Sequence, residues 1–380
     1  MGRAVIVFLG LWFTAMASTG PSGGAAAAVP RWRVVGEGRG VPAASGSTAY
    51  FLTKRHEVLA VDAQTGSVRW RRNTGEPGAE TLGSSLLVNE SIVMAGDYAV
   101  FGFDATSGEP KWRFDPADGY GAGLYLGEAR DDVAFAGSPA GRLYAVNVLT
   151  GRLVWSAKVT VDVGVSAAGV TVFQPIVAGD SVVAGYSTFG HPMTGGIVVV
   201  DRGSGRERWR REFPQASPGA ATGFGGGPVI SRDLIAAASG EGRIYGFDCS
   251  SGQLRWVLPG VVRADGRPQD RDWRALAVSG RTLVAGSVSG TVTAIDLDAR
   301  TEKWRYAHPD GGSISLRIAA DDESVYVPHL GGLLVSVDLR DGTARWQIGG
   351  FSDGFNWAPA IVGGNVYAAA SRAGLFSLPR

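Results

Sequence analysis

The side chains able to do chemistry are few and scattered. Four histidines, His56, His191, His308 and His329, stand far apart, without the short spacings that bring ligands to one metal. They read as surface histidines. The single cysteine, Cys249, has no internal disulfide partner. Gly36, Gly38 and Gly40 alternate as in a dinucleotide loop, but no helical pattern follows to hold a pyrophosphate. No Gly-x-Ser-x-Gly elbow occurs. Asp265 to Asp272 carries three aspartates without the EF-hand alternation and reads as a solvated loop. No catalytic residue and no metal ligand is assigned. A second group suits recognition instead: Trp273, Arg274, Arg317 and Trp357. Flat indoles and guanidinium groups can stack on a planar ligand, pair with an anion or grip an extended peptide.

The elements that position this group follow from composition and repetition. The chain has 380 residues, 57 of them Gly, with 45% hydrophobic and 19% charged side chains. So much Gly without a collagen period predicts many tight turns and many short strands. Basic and acidic residues nearly cancel, for a net charge of +1, so no electrostatic footprint for nucleic acid exists.

Self-similarity is strong. An Asp, once an Asn, stands eight residues before a Trp seven times: Asp62/Trp70, Asp104/Trp112, Asn147/Trp155, Asp201/Trp209, Asp248/Trp256, Asp296/Trp304 and Asp338/Trp346. Gly follows the acid by four residues at Gly66, Gly108, Gly151, Gly205, Gly252 and Gly342, while the sixth copy has Arg300. Trp-to-Trp spacings of 42 to 54 with strand-like content mean propeller blades. Asp can accept backbone N–H bonds at the turn, Gly allows positive φ there, and Trp brings a large apolar area with one N–H to satisfy.

The ends supply an eighth blade. After Trp346 come three more strand patterns, the last at Gly374 to Leu378, and the chain stops. The fourth is at the other end, Arg31 to Val35, with its own Trp32. The expected fold is all-β: an eight-bladed propeller of four-stranded antiparallel blades over residues 29–380, its last blade closed by the N-terminal strand. Pairing of residues 31–35 with 374–378 removes two exposed edges at once.

Residues 60–70, Ala-Val-Asp-Ala-Gln-Thr-Gly-Ser-Val-Arg-Trp, resemble the tryptophan-docking signature of PQQ-repeat β-propellers, and the resemblance extends over residues 31–380. It implies two kinds of relative. Quinoprotein dehydrogenases hold PQQ and calcium, and the alcohol-oxidising members carry adjacent cysteines, absent here. BamB-like members are non-catalytic scaffolds and lipoproteins, but no lipidation Cys precedes residue 249. The sequence therefore favours a binding scaffold without cofactor, with a minimal PQQ- and calcium-dependent oxidoreductase of alcohols or sugars as the alternative.

Two further expectations concern place and face. Arg3 followed by the apolar run Val5 to Ala17 and the small residues Ser22 to Ala28 predicts a Sec-type signal over residues 1–28, hence an extracellular or cell-envelope protein with no later membrane span. Loop length varies at Ser187 to Gly195, Arg211 to Gly227 and Pro259 to Asp272. These links share the face formed by blade crossovers and second-to-third strand connections. Trp273, Arg274 and Trp357 begin innermost strands at that face, and Arg317 lies within another. A protein partner, an extended peptide or a small ligand is expected there, since variable loops on a rigid scaffold carry function.

Overall fold

The structure, a computed structural model, describes residues 25–75, 85–89, 91–116, 123–159, 169–188, 193–214, 224–259, 273–309, 312–315, 317–351 and 354–380. Among these, all regular structure is β-strand. Blade 1 consists of Gly38–Ser45, Thr48–Thr53, Glu57–Asp62 and Val68–Asn73. Blades 2 to 7 repeat the plan, with fourth strands Pro110–Phe114, Leu153–Lys158, Glu207–Glu212, Leu254–Leu258, Glu302–Ala307 and Ala344–Ile348. Blade 8 has Ala360–Val362, Asn365–Ala370 and Gly374–Pro379, with Trp32–Val34 as its fourth strand. The expected closure is present: Trp32 pairs Ser377, Arg33 pairs Phe376 and Val34 pairs Leu375, antiparallel.

Burial explains the patterning. The second strands Leu234–Ser239, Thr282–Ser287 and Ser324–His329 are buried at every residue. Neighbouring blades cover both their faces, so they read as continuous small and apolar runs rather than alternating ones. The fourth strands lie at the rim, and in Val68–Asn73 only Trp70 is buried. First strands meet around the axis, where those of blades 1 and 2 share the bridge Val41–Ser85.

The turn after each third strand explains the Asp-to-Trp offset. Asp62 Oδ1 accepts from the N–H groups of Gln64 and Thr65 at 3.0 and 2.9 Å, and Gly66 closes the turn at φ +73°. The Trp32 ring lies under that glycine: a Cβ on Gly66 would stand 2.8 Å from it. Trp32 Nε1 donates to Ala63 O in the same turn at 2.9 Å. The geometry recurs for Trp70 on Gly108, Trp112 on Gly151, Trp155 on Gly205, Trp209 on Gly252 and Trp304 on Gly342. Each of these indoles donates to the carbonyl after the turn acid, to Ala105, Val148, Arg202, Cys249 and Leu339 respectively. Each indole thus bonds the next blade.

The N-terminus holds one unexpected element. Of the expected signal, residues 1–24 lie outside the described residues. Ala26–Ala27 pairs in parallel with Trp346 and Gln347, adding a fifth strand to blade 7.

Candidate ligand and partner face

The axis is built from first strands, so one side chain per blade can meet its counterparts there. Tyr125 opens the first strand of blade 3. Arg317 lies on blade 7, between the Ile314–His329 bridge and the strand Ala319–Ala320. Three blades lie between them on either side of a ring of eight, so they stand on opposite blades. Their charges are nonetheless coupled. Burial pulls the Arg317 guanidinium down to about 10, and the Tyr125 hydroxyl opposes that fall. Burial raises the Tyr125 phenol, and Arg317 restrains the rise. The two groups, on blades 3 and 7, thus influence each other's ionisation. Tyr125 also leans on Phe173 of blade 4, ring centroids 5.7 Å apart. Among the described residues no carboxylate acts on Arg317. The result is a partly desolvated, electropositive, aromatic-lined centre, suited to an anionic group.

The other expected site residues divide. Arg274 and Trp357 are half-buried. The segment leading to Trp357 is fixed by Asn356, whose carbonyl accepts from Ser315 Oγ at 2.7 Å and whose amide donates to Ser371 Oγ at 2.8 Å. Trp273 is only 4% exposed and packs with Leu234, Ala236 and Ala238 of blade 5. Its indole fills the groove between blades 5 and 6, and its Nε1 has no hydrogen-bond partner among the described residues. Much of the long-loop set lies outside the described residues, namely 189–192, 215–223 and 260–272, with His191 and the Asp265 to Asp272 stretch among them.

The surface reading of the histidines is corrected. His56, His308 and His329 are 6%, 9% and 2% exposed. Each sits where the next blade folds over a second-to-third strand link or a crossover. His56 joins a buried cluster with Arg39 and Asp97: Asp97 accepts from Arg39 Nη2 at 3.0 Å and stands 2.6 Å from His56 Nδ1. This ion pair ties blade 1 to blade 2. His308 and His329 line a cleft of about 510 Å³ beside the outer strand of blade 7.

Comparison with known proteins adds the lineage. A family model described as outer membrane protein assembly factor BamB matches residues 14–189 and 193–380. The protein of that name from Bordetella pertussis is 28% identical over 255 residues, 65% of this chain and 59% of its own length. A polyvinylalcohol dehydrogenase from a Pseudomonas species is 23% identical, over 76% of this chain and 56% of its own. The crystal structure of BamB from Moraxella catarrhalis superposes with a TM-score of 0.71 at 15% identity, covering 93% of this chain and all of that one. At that identity the likeness speaks for the fold alone. Among the described residues no helix is long and apolar enough to cross a membrane.

Proposed function

We propose, from the premise that the chain belongs to the family of the outer membrane protein assembly factor BamB, that it is a non-catalytic propeller holding a protein partner in the cell envelope. The observation that carries this reading is the axial centre at the long-loop face. The half-buried Arg317, coupled to Tyr125, offers a cation with no carboxylate acting on it among the described residues. An acidic side chain on a partner's extended segment would neutralise it, and the half-buried Trp357 and Arg274 would flank that segment. The apolar N-terminal segment, read as an export signal, supports an envelope location.

The relationship to a polyvinylalcohol dehydrogenase favours a second reading, an oxidoreductase using PQQ and calcium. Calcium takes six to eight oxygen ligands, mostly carboxylates and carbonyls. The described residues contain no group of three or more His, Cys, Asp or Glu placed to hold a metal. Cys249 stands alone, its thiol pushed up to about 11 by burial. The described residues thus offer no such carboxylate cluster, and no step is derived through PQQ or calcium.

The test is crosslinking in envelope extract with the intact protein, its Arg317→Ala variant and its Trp357→Ala variant. Loss of a defined crosslinked partner at unchanged melting temperature is the expected result. Equal crosslinking by all three would remove the axial face as the binding site. In parallel, saturable calcium-dependent quenching of Trp fluorescence by micromolar PQQ, with turnover of an alcohol or sugar, would favour the dehydrogenase.

A further inference from the structure

The outer rim carries a second feature. The fourth strand of every blade is an open edge, and open edges are usually guarded by charge or proline. Seven blades carry a charge or a proline within three residues after the Trp: Arg71 and Arg72, Arg113, Lys158, Arg210 and Arg211, Pro259, Arg305, and Arg33 in blade 8. Blade 7 does not. Trp346 is followed by Gln347, Ile348, Gly349 and Gly350, without charge or proline, and the Arg345 before it is engaged by Asp338 and Glu323.

That unguarded edge is the one already carrying an added strand. Ala26 and Ala27 lie parallel to it, and Ala28 N donates to Gln347 O at 2.7 Å. The guest strand is a weak one. It pairs over two residues, comes from a run of alanines, which have low strand propensity, and is cut short by Pro30.

A cleft of about 510 Å³ opens beside the edge, lined by Ala27, Ala28, His308, His329 and Gln347 among others. His308 Nε2 donates to Gln347 Oε1 at 2.9 Å and holds that side chain. His329 Nδ1 donates to Gly312 O at 3.1 Å, which leaves Nε2 as an acceptor. That Nε2 is buried and has no partner among the described residues. A buried acceptor left unsatisfied costs about 1–3 kcal/mol, so a donor arriving there is favoured.

We propose that the outer edge of blade 7 is a strand-acceptor site, taking an extended segment of a partner protein parallel to Ala344–Ile348, with a Ser or Thr hydroxyl of that segment donated to His329 Nε2. In the full-length chain the alanines hold the site; cleavage of the expected signal after Ala28 would remove them and free the edge. Backbone bonds along the edge supply affinity, and the cleft supplies selection. This inference rests on the protein-binding reading above and adds a second contact to it, about a quarter-turn or less from blade 8, where the ring closes.

The probe is a fluorescein-labelled peptide, Ser-Val-Thr-Val-Thr-Val-Ser, titrated by anisotropy into the full-length chain. Ala28→Pro removes the N–H that holds the resident strand, so it should tighten peptide binding by up to about tenfold, the worth of one hydrogen bond. Gln347→Lys places a charge on the edge and should weaken binding. His329→Phe should abolish the preference for this peptide over an all-Val analogue while leaving strand addition. Absence of saturable binding by the Ala28→Pro chain would overturn the proposal, as would binding indifferent to both Ala28→Pro and Gln347→Lys. If the edge fails while Arg317→Ala still loses its crosslinked partner, the axial reading stands alone.

Discussion

Six joints between blades are alike, and two are not. At the regular six, an indole lies under a positive-φ glycine of the next blade and donates to a carbonyl there. Between blades 5 and 6, Arg300 takes the glycine's place at φ +58°. Trp256 at that joint is half-buried and makes no such bond among the described residues. Between blades 7 and 8 the turn itself is missing, because blade 8 takes its fourth strand from the chain's other end. Trp346 is buried there, yet its Nε1 has no partner among the described residues. It lies instead against Tyr326, ring centroids 5.9 Å apart, in an apolar cluster with Phe355 and Phe376 of blade 8. Departures from a repeat tend to fall where function or closure makes demands. Blade 7 carries the irregular joint, the axial Arg317 and the unguarded edge together.

The largest effect should come from the closure. Deleting residues 371–380 removes the strand that pairs with Trp32–Val34 and exposes the apolar seam. Circular dichroism should show loss of the cooperative melt. Retention of the full-length melting temperature would mean that closure contributes nothing.

Next comes the contrast between joints. Trp304→Ala breaks a regular one, emptying a buried site and orphaning the Leu339 carbonyl, and should cost about 3–5 kcal/mol in urea unfolding. Trp256→Ala should cost clearly less, because less of its area is buried and no bond is lost. Equal costs would erase the distinction. Arg300→Gly acts in the opposite sense. An L-residue in the left-handed region costs about 1–2 kcal/mol, so this change should stabilise by about 1 kcal/mol and give Trp256 room to settle on the turn. Destabilisation would mean that the Arg300 side chain contributes more than its backbone strain costs.

The smallest effect is a pH dependence at the blade 7 cleft. Burial holds His329 below its ordinary value of 6.5, so the folded protein binds fewer protons there than the unfolded chain as the pH falls through that value. Stability contributed by the neutral ring should be present above about pH 6.5 and decline below it. A denaturation series from pH 8 to 5 should show the decline, and His329→Gln should flatten that part of it.

The fold was legible because its grammar is local. A turn acid, a glycine and an indole recur at fixed offsets, and Trp32 announced the missing strand of an incomplete last blade. A further local signal went unread: the residue before the Trp is basic in six copies. In five of them it reaches back to the turn acid, as in Arg69 to Asp62 and Arg208 to Asp201 at 2.6 Å. All five turn carboxyls lie below their usual range: chiefly through this partner at Asp62 and Asp201, and at Asp104, Asp248 and Asp338 chiefly through Ser107, Ser250 and Arg340, with the basic residue adding to it. The axial centre was less legible. Tyr125 and Arg317 influence each other only because a ring brings opposite blades together, which no spacing along the chain reveals. Its one available signal was an aromatic opening a first strand, the position that Trp273 also holds. That signal alone does not separate an indole wedged between blades from a ring facing the axis. Burial of the histidines depended likewise on which blade covers which link.

Hydrogen–deuterium exchange on the intact protein tests most directly whether the irregular joints are where the ring gives. Amides of the fourth strands Leu254–Leu258 and Ala344–Ile348 should exchange about tenfold faster than those of Glu207–Glu212 and Glu302–Ala307, a gap of about 1.4 kcal/mol in local opening. Uniform protection across all four strands would contradict the account.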